Sequence, residues 1–131
     1  MPDYGPARPT AQELMDLDTP ALLLDRDRLV RNLESMRMRM EERGVALRPH
    51  LKTAKSVEVA RLAVGEGGPI TVSTLKEAEA FAGNGFRDLL YAVGMVPAKM
   101  PRAARLLRQG IDLKLVVDTP EAADALAGAA S

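Results

Sequence analysis

The sequence predicts an α/β protein built on a parallel sheet, and three observations carry that prediction. Short apolar runs alternate with helical patterns, so that five strand–helix units follow one another. Each unit spans roughly 20 to 25 residues, the length of a right-handed βαβ crossover. Residues that cap helices stand at the junctions between units. A flavodoxin-like sheet and a (β/α)8 TIM barrel both begin in this way. A complete barrel takes about 250 residues, so a barrel reading makes this chain of 131 residues the N-terminal part of one.

Residues 1–17 are Pro-rich and aperiodic and are read as a flexible leader, with residues 18–131 forming the barrel part. The run ALLLD (21–25) is the first strand. Asp25 or Asp27 caps the next helix, where Leu29, Leu33, Met36 and Met40 recur at helical spacing until Gly44. VALRPHL (45–51) is the second strand, followed by a helix capped by Ser56 that stops in the Gly-rich turn at 65–68. ITVS (70–73) is the third, and Thr74 with Glu77 reads as a capping box for a helix closed by Gly83 and Gly85. DLLYAV (88–93) is the fourth, with a helix from about Pro101 to Gly110. IDLKLVV (111–117) is the fifth, with Thr119 as cap and Pro120 in the first helical position. The final Ala-rich helix has no closing strand after it, and the chain is expected to be the first part of something larger.

Composition narrows the function classes. The 18 basic and 18 acidic side chains cancel and aromatic residues are 3% of the chain, which argues against nucleic-acid and anionic-membrane partners. The absence of cysteine excludes disulfides and thiolate metal sites and suits a cytoplasmic location. Neither a signal-peptide pattern nor an apolar run of spanning length occurs.

The chemistry concentrates in LRPHLKTAKS (47–56). On a strand, Arg48, His50 and Lys52 share one face and Leu47, Pro49 and Leu51 the other. Three cationic-capable groups on a normally buried face are costly without partners, and sites in parallel α/β folds gather at the C-terminal ends of strands, where Lys52 stands. Two readings fit the spacing. Lys52 is a solvated lysine in a βα loop beside a structural His50, or it is a Schiff-base lysine whose neutral amine is favoured by desolvation and by the charges of Arg48, His50 and Lys55. Other candidates have plainer roles: Thr74 as a cap, Ser73 facing the site from a strand end, Tyr91 in the core, Met36, Met38 and Met40 as core filler, and Arg37 with Glu41 as a surface pair.

DTPALLLDRDRLVRNL, LRPHLKTAKS, TVSTLKEAEAF and DLLYAVGMVPAK, in that order over residues 17–118, together resemble the D-threonine aldolase and D-serine dehydratase family. That family comprises pyridoxal-phosphate enzymes with an alanine-racemase-type N-terminal barrel, and RPH-x-K-T is the most specific element shared. The resemblance implies the first part of a (β/α)8 barrel of that type, the C-terminal β domain lying outside this chain. It implies pyridoxal 5'-phosphate held as a Schiff base on Lys52, with His50 and Arg48 as supporting cofactor contacts. The expected activity is that of a lyase (retro-aldol or β-elimination) on small D-amino acids, rather than a racemase, with a homodimer at full length. A divalent metal would be held by the later part of such an enzyme, so no metal ligand is assigned here. Ala54 stands where the family often has a histidine (K-T-H-K), which leaves the cofactor lysine in place and the reaction open. The alternatives are a non-catalytic cofactor-binding barrel and a fragment that does no chemistry alone.

Overall fold

The computed structural model describes residues 9–130, and the first eight residues of the expected leader lie outside them. The rest of that leader holds a short helix, α1 (Ala11–Met15), with a reciprocal capping box between Thr10 and Glu13. T-x-x-E at 10–13 is the local signal for it.

The first expected strand does not form. Residues 21–25 make no ladder, and Leu22, Leu23 and Leu24 are 100%, 68% and 61% exposed. A strand is defined by its neighbour, and among the described residues nothing pairs with this run. Asp25, not Asp27, caps α2 (Arg26–Glu41) by accepting from the Arg28 amide at 2.9 Å. Leu29, Leu33 and Met40 of α2 are half-buried, but Met36 and Met38 are exposed, which corrects their expected role as core filler. Arg37 and Glu41 pair on its surface at 2.8 Å as expected.

The second expected strand is reduced to its C-terminal end. Residues 45–49 are extended without a ladder, and His50 forms a parallel bridge with Thr71. The bridge rests on Leu51 N donating to Thr71 O (2.9 Å) and Thr71 N donating to Pro49 O (2.8 Å). Ser56 then caps α3 (Val57–Val64). The turn after α3 needs Gly68, where a Cβ would collide with the carbonyl oxygen of Val64. Next come β1 (Ile70–Val72), α4 (Leu75–Gly83), β2 (Asp88–Gly94), a 3-10 turn at Pro97–Lys99 leading into α5 (Met100–Arg108), β3 (Asp112–Val116) and α6 (Pro120–Ala130). Helix α5 closes at Gly110 (φ 78), whose left-handed conformation lets the Gly110 and Ile111 amides reach Leu107 O and Leu106 O. Thr119 caps α6 with Pro120 in its first turn.

The strands are parallel in the order β1-β2-β3, with residues 49–51 extending the sheet beyond β1. Register sorts the side chains by face. Ile70, Val72, Leu89, Tyr91 and Leu113 point to the helices and are buried with Leu75, Ala78, Phe81, Ala103 and Leu106. Leu51 joins this layer, and so does Tyr91, which takes the core position expected of it. The opposite face carries Arg48, His50, Thr71, Asp88, Leu90, Asp112 and Lys114. In a (β/α)8 barrel this face of the strands is the interior.

Candidate functional site

The site is assembled where residues 50–56 leave the sheet. Leu51 is buried and hydrogen-bonded to Thr71, and its carbonyl accepts from the Lys55 amide at 2.9 Å. Residues 52–54 thus form one α-type turn, with Lys52 at its first position. The turn ends in Lys55 at φ 47, the only non-glycine residue with a positive φ among those described. Such a conformation costs a β-carbon-bearing residue about 1 kcal/mol or more.

Lys52 is exposed, and its amine has no hydrogen bond or ion pair among the described residues. Its backbone amide donates to His50 Nδ1 at 3.2 Å. An accepting Nδ1 assigns the ring proton to Nε2, which faces Ser73 Oγ at 3.4 Å. His50 and Ser73 therefore stand together beside the Lys52 turn at the ends of neighbouring strands, as their strand positions imply.

The other cations of the motif are committed elsewhere. Arg48 donates to Asp88 Oδ2 at 2.8 Å, with longer contacts to the carbonyls of Ile70 and Asp88. That places its guanidinium at the starts of β1 and β2, on the same face as His50 but toward the opposite end of the strands. Lys55 pairs with Glu77 at 3.5 Å. Two of the three positive charges expected to act on Lys52 are thus offset by carboxylates. Spacing within residues 47–56 could not reveal partners that lie 22 and 40 positions away. Asp88 was nonetheless findable: with Asp112 and Lys114 it forms a row of charged residues on one face of adjoining strands.

Thr74 and Glu77 make only half of the expected capping box. Thr74 Oγ1 accepts from the Glu77 amide at 3.0 Å, but the Glu77 carboxylate accepts from the amide of Ser73, one residue before the cap, at 2.8 Å.

The Arg48–Asp88–Lys114 cluster sets a pH dependence. The hydrogen bond from Arg48 is the main cause that lowers Asp88 from 3.8 to about 2, with Lys114 adding to it and desolvation opposing. A folded value below the unfolded one stabilises the protein above the unfolded value and is lost as the pH falls from about 4 toward about 2. The full displacement corresponds to at most about 2.5 kcal/mol; with the Asp88 side chain 35% exposed, solvent screening reduces the expected contribution to about 1 kcal/mol. Asp88→Asn should therefore lower the urea midpoint at neutral pH, and the gap to the wild type should close in buffers acid enough to protonate Asp88. An equal gap at both pH values would contradict this assignment.

A parallel sheet with helices packed on it and a lysine-bearing turn at the strand ends is consistent with a partial (β/α)8 barrel. The chain belongs to the family described as alanine racemase, N-terminal domain, whose model matches residues 24–131. It is 55% identical over 116 residues to D-threo-3-hydroxyaspartate dehydratase of Delftia sp. (strain HT23), covering 87% of this chain and 30% of that protein. Its identity to 3-hydroxy-D-aspartate aldolase of Paracoccus denitrificans is 40% over 116 residues, covering 86% and 30%. The solved structure of an alanine-racemase-like protein from Idiomarina loihiensis superposes with a TM-score of 0.85 at 45% identity, over 89% of this chain and 32% of that one. Proteins named D-serine dehydratase and D-threonine aldolase also match, in agreement with the resemblance read from the motifs. The chain spans about 30% of the length of the curated relatives it matches. No helix among the described residues is long and apolar enough to cross a membrane.

Proposed function

We propose that this chain is the lysine-bearing part of a pyridoxal-phosphate-dependent lyase acting on small D-amino acids with a β-hydroxyl group, and that Lys52 holds the cofactor. The observation that carries the reading is the exposed Lys52 amine, without a partner among the described residues, on a turn at the strand ends whose backbone amide is bonded to His50. The residues fit the aldehyde end of the cofactor: an exposed primary amine on a turn whose backbone amide is bonded to the His50 ring, which in turn meets the Ser73 hydroxyl. Supporting it further, the relatives named above are dehydratases and aldolases of D-configured hydroxy amino acids.

Bound cofactor supplies an electron sink for a carbanion at the substrate Cα. The residues of this chain would do the rest of the work assigned to them here. Lys52 Nζ would hold the cofactor aldehyde, and its amine is the group of this chain that would hold a proton there. His50 fixes the Lys52 amide and keeps its Nε2 proton toward Ser73. Arg48 ties the segment that leads into the Lys52 turn to β2 through Asp88. Among the described residues no group of three or more His, Cys, Asp or Glu side chains is placed to hold a metal ion, and no metal step is assigned to them. Small D-amino acids as ligands, a homodimer as the assembly and the cytoplasm as the location complete the reading, the last supported by a chain without cysteine.

The test is turnover by the full-length protein, with pyridoxal phosphate, of D-threonine, D-serine and D-threo-3-hydroxyaspartate against their L-enantiomers. Release of an aldehyde or a keto acid from the D-series alone is expected. Turnover of the L-series, or of neither, would overturn the assignment.

A further inference from the structure

The Lys52 turn is held from outside by a residue that the motif does not contain. Glu77 lies on the first turn of α4, and its side chain is only 12% exposed. One carboxylate oxygen accepts from the Ser73 amide at 2.8 Å, and the other faces Lys55 Nζ at 3.5 Å. Ser73 in turn meets His50, His50 meets the Lys52 amide, and Lys55 closes the same turn in a left-handed conformation. The contacts form a closed circuit, Lys52–His50–Ser73–Glu77–Lys55, in which the carboxylate joins the end of β1 to the far end of the turn.

We propose that Glu77 is a positioning residue for Lys52. It holds the Lys55 end of the turn in its strained conformation. The inference rests on the reading of Lys52 as the cofactor lysine only for its functional consequence; the mechanical part concerns the chain alone. An ordinary helix-capping role is the competing explanation, and the two differ in where they act. A cap stabilises α4, whereas a positioning carboxylate stabilises residues 51–56 through Lys55.

The deciding experiment is hydrogen exchange with peptide-level mass spectrometry on the full-length protein stripped of cofactor, comparing wild type, Glu77→Gln, Lys55→Met, Lys55→Gly and the Glu77→Gln/Lys55→Gly pair. Removing a half-exposed ion pair that holds a strained turn is expected to speed exchange in the 51–56 segment by about fivefold. Glu77→Gln and Lys55→Met should both produce this change. Lys55→Gly, which relieves the positive φ, should abolish the response to Glu77→Gln. The apparent affinity for pyridoxal phosphate, read by absorbance, should fall in step with the exchange. Faster exchange confined to residues 73–83, or a Glu77→Gln effect undiminished in the Lys55→Gly background, would overturn the proposal. Failure of wild-type protein to bind pyridoxal phosphate would overturn the cofactor reading and leave the exchange result to decide the role of Glu77.

Discussion

Lys52→Ala in the full-length protein is expected to leave the fold intact and to abolish covalent retention of pyridoxal phosphate, with lyase activity falling by on the order of 10³-fold or more. The fold should survive because the Lys52 side chain is exposed and has no hydrogen bond or ion pair among the described residues, so its truncation belongs with surface substitutions worth about 0.5 kcal/mol or less. The turn that presents it is closed by main-chain donors that alanine keeps, from the Lys55 amide to Leu51 O and from the Lys52 amide to His50 Nδ1. Lys52→Arg should behave like the alanine variant, since a guanidinium keeps the charge but offers no free amine. Difference absorbance after gel filtration reads cofactor retention, and a thermal melt reads the fold. A Lys52→Ala protein that still carries pyridoxal phosphate through gel filtration would remove this lysine from its assigned role.

Phe86→Ala is expected to cost about 3 to 5 kcal/mol of stability. Phe86 is fully buried at the entry to β2 and meets Phe81 of α4 edge-to-face, with ring centroids 5.5 Å apart at 81°. These are the two phenylalanines of the chain, and they sit in one cluster. Truncation would lose the apolar transfer term, the aromatic pair and the packing between α4 and the sheet. The backbone there is tightly determined, because Phe86 N donates to Phe81 O at the end of α4. Since Ser73 and Glu77 sit on the strand and helix that this cluster locks together, the loss should also loosen the Lys52 turn. Urea denaturation measures the effect; a change below about 1 kcal/mol would mean that the cluster relaxes around the cavity.

Much of the fold is legible because it is written locally. Ser56, Thr74 and Thr119 cap helices where the sequence places them, Gly110 ends α5, and β1, β2 and β3 fall on ITVS, DLLYAV and IDLKLVV. The failures are those of pairing. ALLLD has the composition of a strand, but no residue type can supply the neighbour that turns an extended run into one. The same division holds at the site. His50 falls on the strand face that alternation assigns to it, with Ser73 at the end of the neighbouring strand, whereas Lys52 stands on the turn that follows. Arg48 shares the face of His50, as expected, but its carboxylate partner comes from two strands away, at the other end of the strands. Glu77 was visible only as a cap, because its bond to Ser73 and its pairing with Lys55 depend on how α4 docks beside the turn.

The most direct test of the central claim is borohydride reduction of the full-length native protein followed by peptide mapping. Reduction makes an imine bond between a lysine and pyridoxal phosphate permanent, so the modified residue can be read from the mass of its peptide. The account predicts a single pyridoxyl adduct, on the peptide that contains Lys52. An adduct on Lys55 or Lys76 instead, or none on any lysine, would contradict it.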